Sequence, residues 1–541
     1  MYSISEGIAR ILIPRVDHFF GLMGNGNAWF VDALDRLGHG IIPVRHEVAS
    51  VAAADAYHRV SRRLAVATTT YGAGFTNTLT ALADAALSRT PLILVVGTEP
   101  STGPRDFDVD QQALARAVGV DTFTVHPGDV GEVTLRAWRH ALEHRIPVVL
   151  EIPYDLAAAP AIDPQLEAAY SYEPAPGKVV DTPDVSELVK ALSGAKHPLL
   201  LAGRGARGAS QSIRDLADLL HADVATSAPA RGLFNASGNF RDLGVCGGFA
   251  AEGSAAEIRR ADVVLVLGAG LNQFTMAFGE AFGESARVFQ VDLAAAATHP
   301  RVDDFQQGDA AAVSAEVLAQ LHARGYEAGE RFHLVADPQA RPAGDELAPD
   351  GRLDPRSLMR ELNQILPAEK LIATDGGHFI GWPNTYLDLA GPDNIVLLGT
   401  AFQSIGLGFP TAVGVAAAAG EEKLAVLVTG DGGGVMALAD AETFIRTAHR
   451  GLVIVLNDAA YGAEIHQYGS RGLRETAMLI PEINFAAVLG ALGAETKVVR
   501  ELGDLRDFRE WLERGEPGTY VLDCRISPNV IAPYMQEIIS R

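Results

Sequence analysis

Leu424-Ala425-Val426-Leu427-Val428-Thr429-Gly430-Asp431-Gly432 is followed, past an amphipathic segment, by Leu452-Val453-Ile454-Val455-Leu456-Asn457-Asp458. Two short apolar runs with helical patterning between them read as successive parallel strands joined by a helix. The first run ends on a carboxylate set between glycines, and the second ends on an amide. Open α/β sheets take their ligands at the carboxyl ends of their strands. Asp431 and Asn457 are therefore side-chain oxygen donors on such a rim. Donors of this kind, completed by carbonyls, waters or phosphate oxygens, suit Mg²⁺. The plain alternative is a tight turn with a surface Asp and a capping Asn.

The same strand–helix rhythm extends outward in both directions. A first unit over residues 1–165 has strand candidates His18–Met23, Ile41–Val44, Leu64–Thr68, Leu92–Val96 and Val148–Ile152, with a helix over Asn77–Leu87. A proline-bearing linker follows at residues 172–176. A second unit over 183–325 has Leu199–Ala202, Val224–Thr226, Val263–Leu267 and Val288–Val291. The third, over 352–541, adds Leu371–Thr374, Ile395–Leu398 and Tyr520–Leu522 to the two opening strands. Strands alternating with helices predict an α/β protein of three doubly wound parallel sheets. In the second unit the turn Gly203–Gly208 follows a strand and precedes a helix. It reads either as a nucleotide-phosphate cradle or as a structural turn.

A chain of 541 residues exceeds what one core sustains. With 44 Lys and Arg against 67 Asp and Glu, the net charge is −23, which argues against nucleic acid or an anionic membrane as partner. Two cysteines far apart in sequence give no disulfide framework or metal spacing, and a cytoplasmic location fits. No apolar run reaches membrane-spanning length.

Arg45-His46-Glu47 stands just past a first-unit strand, and Thr70-Tyr71-Gly72-Ala73-Gly74-Phe75-Thr76-Asn77 comes after it. Glycines there admit a close approach, and Thr76 or Asn77 can cap the next helix. With these motifs the chain resembles the thiamine diphosphate-dependent decarboxylase and acetolactate synthase superfamily over essentially its whole length. The resemblance implies pyrimidine-binding, central and diphosphate-binding domains in that order. It makes Glu47 the carboxylate that hydrogen-bonds the aminopyrimidine and drives its tautomerisation, a task that requires shelter from bulk water. It sets Gly72 and Asn77 at the cofactor. It assigns the diphosphate turn to Gly430, Asp431, Gly432 and Gly433, and the Mg²⁺ ligands to Asp431, Asn457 and the Ala459 carbonyl. Gly433 stands where the family frequently has Ser. Gly377 and His378, in Asp375-Gly376-Gly377-His378, are implied to touch the diphosphate. Ile405 takes the place of the bulky residue that bends the cofactor, the alternative being an ordinary core isoleucine. Gln403 stands where the family often has Gly with a carbonyl facing the aminopyrimidine.

The family splits by the fate of the acyl unit once a 2-oxo acid has lost CO₂. Gln111 or Gln112 matches a Gln of the ligating enzymes, or else belongs to a polar surface loop. Glu464 matches the acid of simple decarboxylases, or else is a solvated helix residue. The reading is a 2-oxo acid donor ligated to a carbonyl acceptor, with plain decarboxylation to an aldehyde as the alternative and a non-catalytic cofactor-binding homologue third. The family further implies a homodimer or homotetramer with sites at the subunit interface, and it allows FAD in the middle unit.

Overall fold

Every strand pairing in the structure, a computed structural model, is parallel. It describes residues 2–172, 182–235, 238–330 and 333–539, so the predicted linker lies outside them beyond Tyr172. The first sheet comprises β1 (Phe19–Gly21), β2 (Ile42–Pro43), β3 (Val66–Thr69), β4 (Leu92–Thr98), β5 (Asp121–Thr124) and β6 (Pro147–Pro153), in the order β2-β1-β3-β4-β6-β5. The second comprises β7 (Pro198–Ala202), β8 (Asp223–Thr226), β9 (Arg241–Val245), β10 (Val263–Leu267), β11 (Arg287–Asp292) and β12 (Asp304–Gln307), in the order β12-β11-β10-β7-β8-β9. The third comprises β13 (Lys370–Thr374), β14 (Ile395–Leu397), β15 (Leu424–Gly430), β16 (Arg450–Asn457), β17 (Glu495–Val499) and β18 (Gly518–Arg525), in the order β14-β13-β15-β16-β18-β17. The outer two sheets share one topology. The middle one has the 3-2-1-4-5-6 order of dinucleotide-binding folds.

Each of the four strands that the sequence pattern did not reveal lies at a sheet edge: β5, β9, β12 and β17. An edge strand keeps one side towards solvent and needs no apolar run. None of the four residues of β5 or of β12 is buried. The central strands β4 and β15 are buried throughout and read plainly as apolar.

The first and third units share a core. Helix Glu47–Ser61 is rich in alanine, and its small side chains let helix Gly408–Ala419 pack at backbone distance. A Cβ built on Gly414 would stand 2.1 Å from the Ala53 carbonyl oxygen. Arg59, near the C-terminal end of the first helix, is buried between Asp55 (2.6 Å) and Asp84 (3.0 Å). Asp84 also accepts from the N–H groups of Ala401 and Phe402. The first unit thereby braces the loop that leads to Ile405.

Candidate active site

The pairing Gly430↔Leu456 puts the next residues side by side, Asp431 just past the end of β15 and Asn457 as the last residue of β16. Both are buried. The Asn457 Nδ2 donates to the Ile483 carbonyl and to Asp523 Oδ1, at 3.0 Å each. That fixes the amide with its oxygen turned the other way. Asn457 Oδ1 and Asp431 Oδ2 have no hydrogen-bond partner among the described residues. A buried unpartnered oxygen costs about 1–3 kcal/mol, and two on adjacent strand ends are what a divalent cation offsets.

Asp458 adds a carboxyl that the sequence pattern did not single out. Burial raises its pKa and that of Asp431, and the Asp431 charge raises Asp458 further. A dication beside them would favour the ionised form of both carboxyls. Ala459 has φ +60°, a left-handed conformation costing a non-glycine about 1–2 kcal/mol. Its carbonyl accepts from the Ile480 N–H at 2.9 Å and keeps a second lone pair for another ligand. Asp431, Asn457 and the Ala459 carbonyl thus fit Mg²⁺.

Asp375, the residue after β13, organises the rim opposite. It is fully buried and accepts from the N–H groups of Gly376 (2.8 Å), Gly406 (3.0 Å) and Leu407 (3.3 Å). Burial pushes it up to about 6 against those bonds. This carboxylate holds the loop that presents Ile405, which packs on Gly376 and remains 39 % exposed. A core isoleucine would be sealed; this one borders the cavity. Gln403 has φ +57°, which explains structurally why glycine suits the position.

Helix Asp431–Met436 begins at the predicted turn, so Gly432 and Gly433 are helical. A Cβ at 433 would stand 2.5 Å from Asp375 Oδ2. Gly377 has φ +134°, outside the range of ordinary side chains. His378 is buried and neutral, its pKa lowered to about 3 by desolvation. Its Nε2 accepts from the Ala532 N–H at 2.8 Å, and its ring meets His466 edge-on at 4.6 Å.

A cavity of 1380 Å³ opens between the third and central units and reaches the first. It borders Gly377, His378, Gln403, Ile405, Gly430, Asp431, Gly432, Gly433 and Glu464, while Glu47, Gly72, Asn77, Gln111 and Gln112 do not line it. Glu47 is half-buried at the start of helix Glu47–Ser61 and accepts from Asn77 Nδ2 at 2.9 Å. Asn77 therefore does not cap the following helix, contrary to the expectation; Thr78 precedes that helix without a side-chain cap, and Thr76 bonds the Ala73 carbonyl. Gln111 is buried: it accepts from the Gly72 N–H (2.8 Å) and donates to the Gly97 carbonyl (3.1 Å), which ties the glycine turn to β4. Gln112 is exposed and donates to Thr124 and Glu151.

Three family models of the thiamine pyrophosphate enzymes match in tandem: the N-terminal binding domain over residues 3–118, the central domain over 185–321 and the C-terminal binding domain over 375–524. Among curated proteins, sulfoacetaldehyde acetyltransferase of Castellaniella defragrans is 27 % identical over 93 % of this chain and 89 % of its own. Acetolactate synthase isozyme 3 large subunit of Escherichia coli is 26 % identical over 93 % of this chain and 91 % of its own. The solved thiamine diphosphate-dependent 4-hydroxybenzoylformate decarboxylase of Rhodococcus jostii RHA1 superposes with a TM-score of 0.82 at 19 % identity, covering 97 % of this chain and 99 % of that one. With one model on each sheet and the rim geometry of β13, β15 and β16, the chain belongs to the thiamine pyrophosphate enzymes, in the superfamily of 2-oxo acid decarboxylases and acetolactate synthases.

Proposed function

We propose that the chain decarboxylates a 2-oxo acid and joins the remaining acyl unit to a second carbonyl compound, giving an acyloin or acetolactate-like product. The observation that carries this reading is the pair of unpartnered buried oxygens, Asp431 Oδ2 and Asn457 Oδ1, with Asp431 on the wall of a cavity of 1380 Å³. That space admits a cofactor with two small substrates. The acetyltransferase and synthase names of the relatives support ligation. A specific feature favours plain decarboxylation as the second reading: Glu464 lines the cavity, where a carboxyl can serve as general acid towards a nascent aldehyde carbon.

Asp431, Asn457 and the Ala459 carbonyl would hold Mg²⁺, and the Gly430–Gly433 backbone would receive the diphosphate. When bound, the thiazolium ring supplies the electron sink into which CO₂ departure leaves its electron pair. Glu47, its carboxyl oriented by the bond from Asn77, would exchange a proton with the pyrimidine half. Ile405 shapes the bound cofactor, braced from below by Asp375.

Glu47 and Asn77 lie apart from their own chain's cavity, and Glu47 is only half-buried. We therefore place the complete site between two copies, in a dimer or tetramer. Exposed Met23, Trp29 and Phe107 on the first unit and Val435 and Met436 on the third support such a contact. FAD, or another nucleotide, fits the central end of the cavity. There Arg204 is half-buried at the Gly203–Gly208 turn and donates to the Ser88 carbonyl, with no carboxylate in ion-pair contact among the described residues. Two buried unpaired cysteines accord with a reducing cytoplasm, and no described helix is long and apolar enough to cross a membrane.

The test is a panel of 2-oxo acids, singly and in pairs, with thiamine diphosphate and Mg²⁺, following CO₂ and product mass. A hydroxy-ketone supports ligation. Free aldehyde alone replaces ligation by decarboxylation. Tight cofactor binding without any turnover replaces both by a non-catalytic role.

A further inference from the structure

Three aromatic side chains from three separate segments meet at the cavity wall. Phe249 follows β9, Phe274 follows β10, and Tyr534 comes from the terminal helix Pro533–Ile539. Their rings close on one another edge-to-face: Phe249 to Phe274 at 4.7 Å and 64°, Phe249 to Tyr534 at 5.3 Å and 70°, and Phe274 to Tyr534 at 5.9 Å and 66°. This is the arrangement aromatic quadrupoles favour.

The backbone makes room for the trio. A Cβ on Gly248 would meet the Phe274 ring at 2.4 Å, and one on Gly381 would meet the Tyr534 ring at 2.8 Å. Gly247, at φ +92°, lets the Phe274 carbonyl approach. Tyr534 presents a ring and not a hydroxyl, because its oxygen is engaged with the carbonyls of Gly377 (2.9 Å) and His378 (3.0 Å). The same bonds fix the wall against the turn implied to touch the diphosphate. Its neighbours towards the rim, Phe379 and Tyr461, add two more rings to the cavity lining.

We propose that the side chain of the 2-oxo acid donor is an aryl group, seated on the wall of Phe249, Phe274 and Tyr534. This inference rests on the 2-oxo acid reading above. Phe249 and Tyr534 are already packed into the core, so the free surface of the wall is that of half-buried Phe274, which a methyl group as in pyruvate would leave facing water. A flat aryl group extends the edge-to-face packing by one more member.

The experiment compares kcat/KM of the holoenzyme for benzoylformate, pyruvate and 3-methyl-2-oxobutanoate, alongside calorimetric binding of mandelate, a non-reacting aryl analogue. The expected result is a benzoylformate-to-pyruvate ratio of about 30 or more, from aryl burial and ring contacts together. Phe274 is half-buried, so its truncation disturbs the fold less than that of Phe249. Phe274→Ala should lower the ratio at least about tenfold and weaken mandelate binding, with Phe274→Tyr restoring both. Tyr534→Phe should preserve the ratio, because it keeps the ring and removes only the hydroxyl. Pyruvate or the branched acid preferred over benzoylformate, or a ratio unmoved in a folded Phe274→Ala, overturns the inference while the 2-oxo acid reading stands. Mandelate bound in a Phe274-dependent way with no 2-oxo acid turned over supports the aryl wall and overturns the reading beneath it.

Discussion

Serine, frequent after Gly-Asp-Gly in this superfamily, should be harmful at position 433 of this chain. A Cβ there would stand 2.5 Å from Asp375 Oδ2 and 3.1 Å from its Cγ, well inside contact distance. The Asp375 side chain is no flexible tip. It is fully buried and accepts three backbone N–H bonds, two of which hold the Ile405 loop. If the carboxylate stays, overpacking costs about 1–3 kcal/mol. If it swings away, each weakened bond to a charged acceptor costs about 1.5–3 kcal/mol. The lower limit is therefore about 1 kcal/mol and a realistic figure about 2–3. Much of this should fall on cofactor affinity, because the clash lies between the diphosphate turn and the Ile405 loop; about 2 kcal/mol is roughly thirtyfold in Kd. Thiamine diphosphate titration followed by intrinsic fluorescence, at fixed Mg²⁺, measures it in Gly433→Ser. The cycle with Asp375→Ala checks the cause, because the serine should be tolerated better by about 1 kcal/mol or more once the carboxylate is gone. A Gly433→Ser protein with wild-type affinity and wild-type melting would refute the reasoning.

Three further outcomes are expected. Glu47→Gln and Asp431→Ala should each cut turnover by orders of magnitude, with Asp431→Ala also losing Mg²⁺-dependent cofactor binding; unfolded and reassembled together in equal amounts, they should regain about a quarter of wild-type sites if each site joins two copies, and none if it lies within one. Asp375 is raised from 3.8 to about 6, so the stability of the fold is higher below pH 4 on this account and is lost as pH rises towards 6; Asp375→Asn, compared with wild type by melting at pH 4.5 and 7, should gain relatively at pH 7, by at most about 3 kcal/mol, and a constant difference would show that the carboxyl does not titrate there. Gly414→Val should destabilise the contact between the first and third units by more than about 3 kcal/mol, since even a Cβ meets backbone and not a side chain; a melting point near wild type would remove that contact from the account.

The central strands and the two oxygen donors at their ends were legible because burial on both faces demands uninterrupted apolar residues, and the rim position demands a change of chemistry. Asp431 after Leu424–Val428 is such a change. Edge strands escaped for the opposite reason: Asp304–Gln307 carries three polar residues because it lies at a sheet edge, where none of its residues is buried. Side-chain roles set by distant partners were not legible either. Nothing local shows that Gln111 spends both ends of its amide on Gly72 and Gly97, or that Asn77 turns to Glu47, 30 positions back in sequence. Asp375 was visible as the residue just past a strand, and what it does depends on the return of residues 406–407 from another loop. Asp458 had a local signal, its adjacency to Asn457, and its coupling to Asp431 required the register of β15 against β16.

Helix Glu47–Ser61 connects these observations. Its interior packs on Gly408–Ala419, its Arg59 is locked by Asp55 and Asp84, and Asp84 in turn holds Ala401 and Phe402 ahead of Ile405. One end of the helix therefore stiffens the rim of its own chain. The other end carries Glu47, fixed by Asn77 and turned away from that chain's cavity. On the interface reading, each first unit buttresses one site and supplies the carboxylate of another through a single rigid element. A mutation in the buried middle of this helix, far from either site, should then disturb the Ile405 loop of its own chain and the Glu47 position offered to its partner together. On the same reading the shelter of Glu47 from water would come from assembly, because within one chain the residue stays half-buried. Proton chemistry at Glu47 would thus be withheld until a second copy covers it, and an isolated chain would be inactive even with every residue of the rim in place.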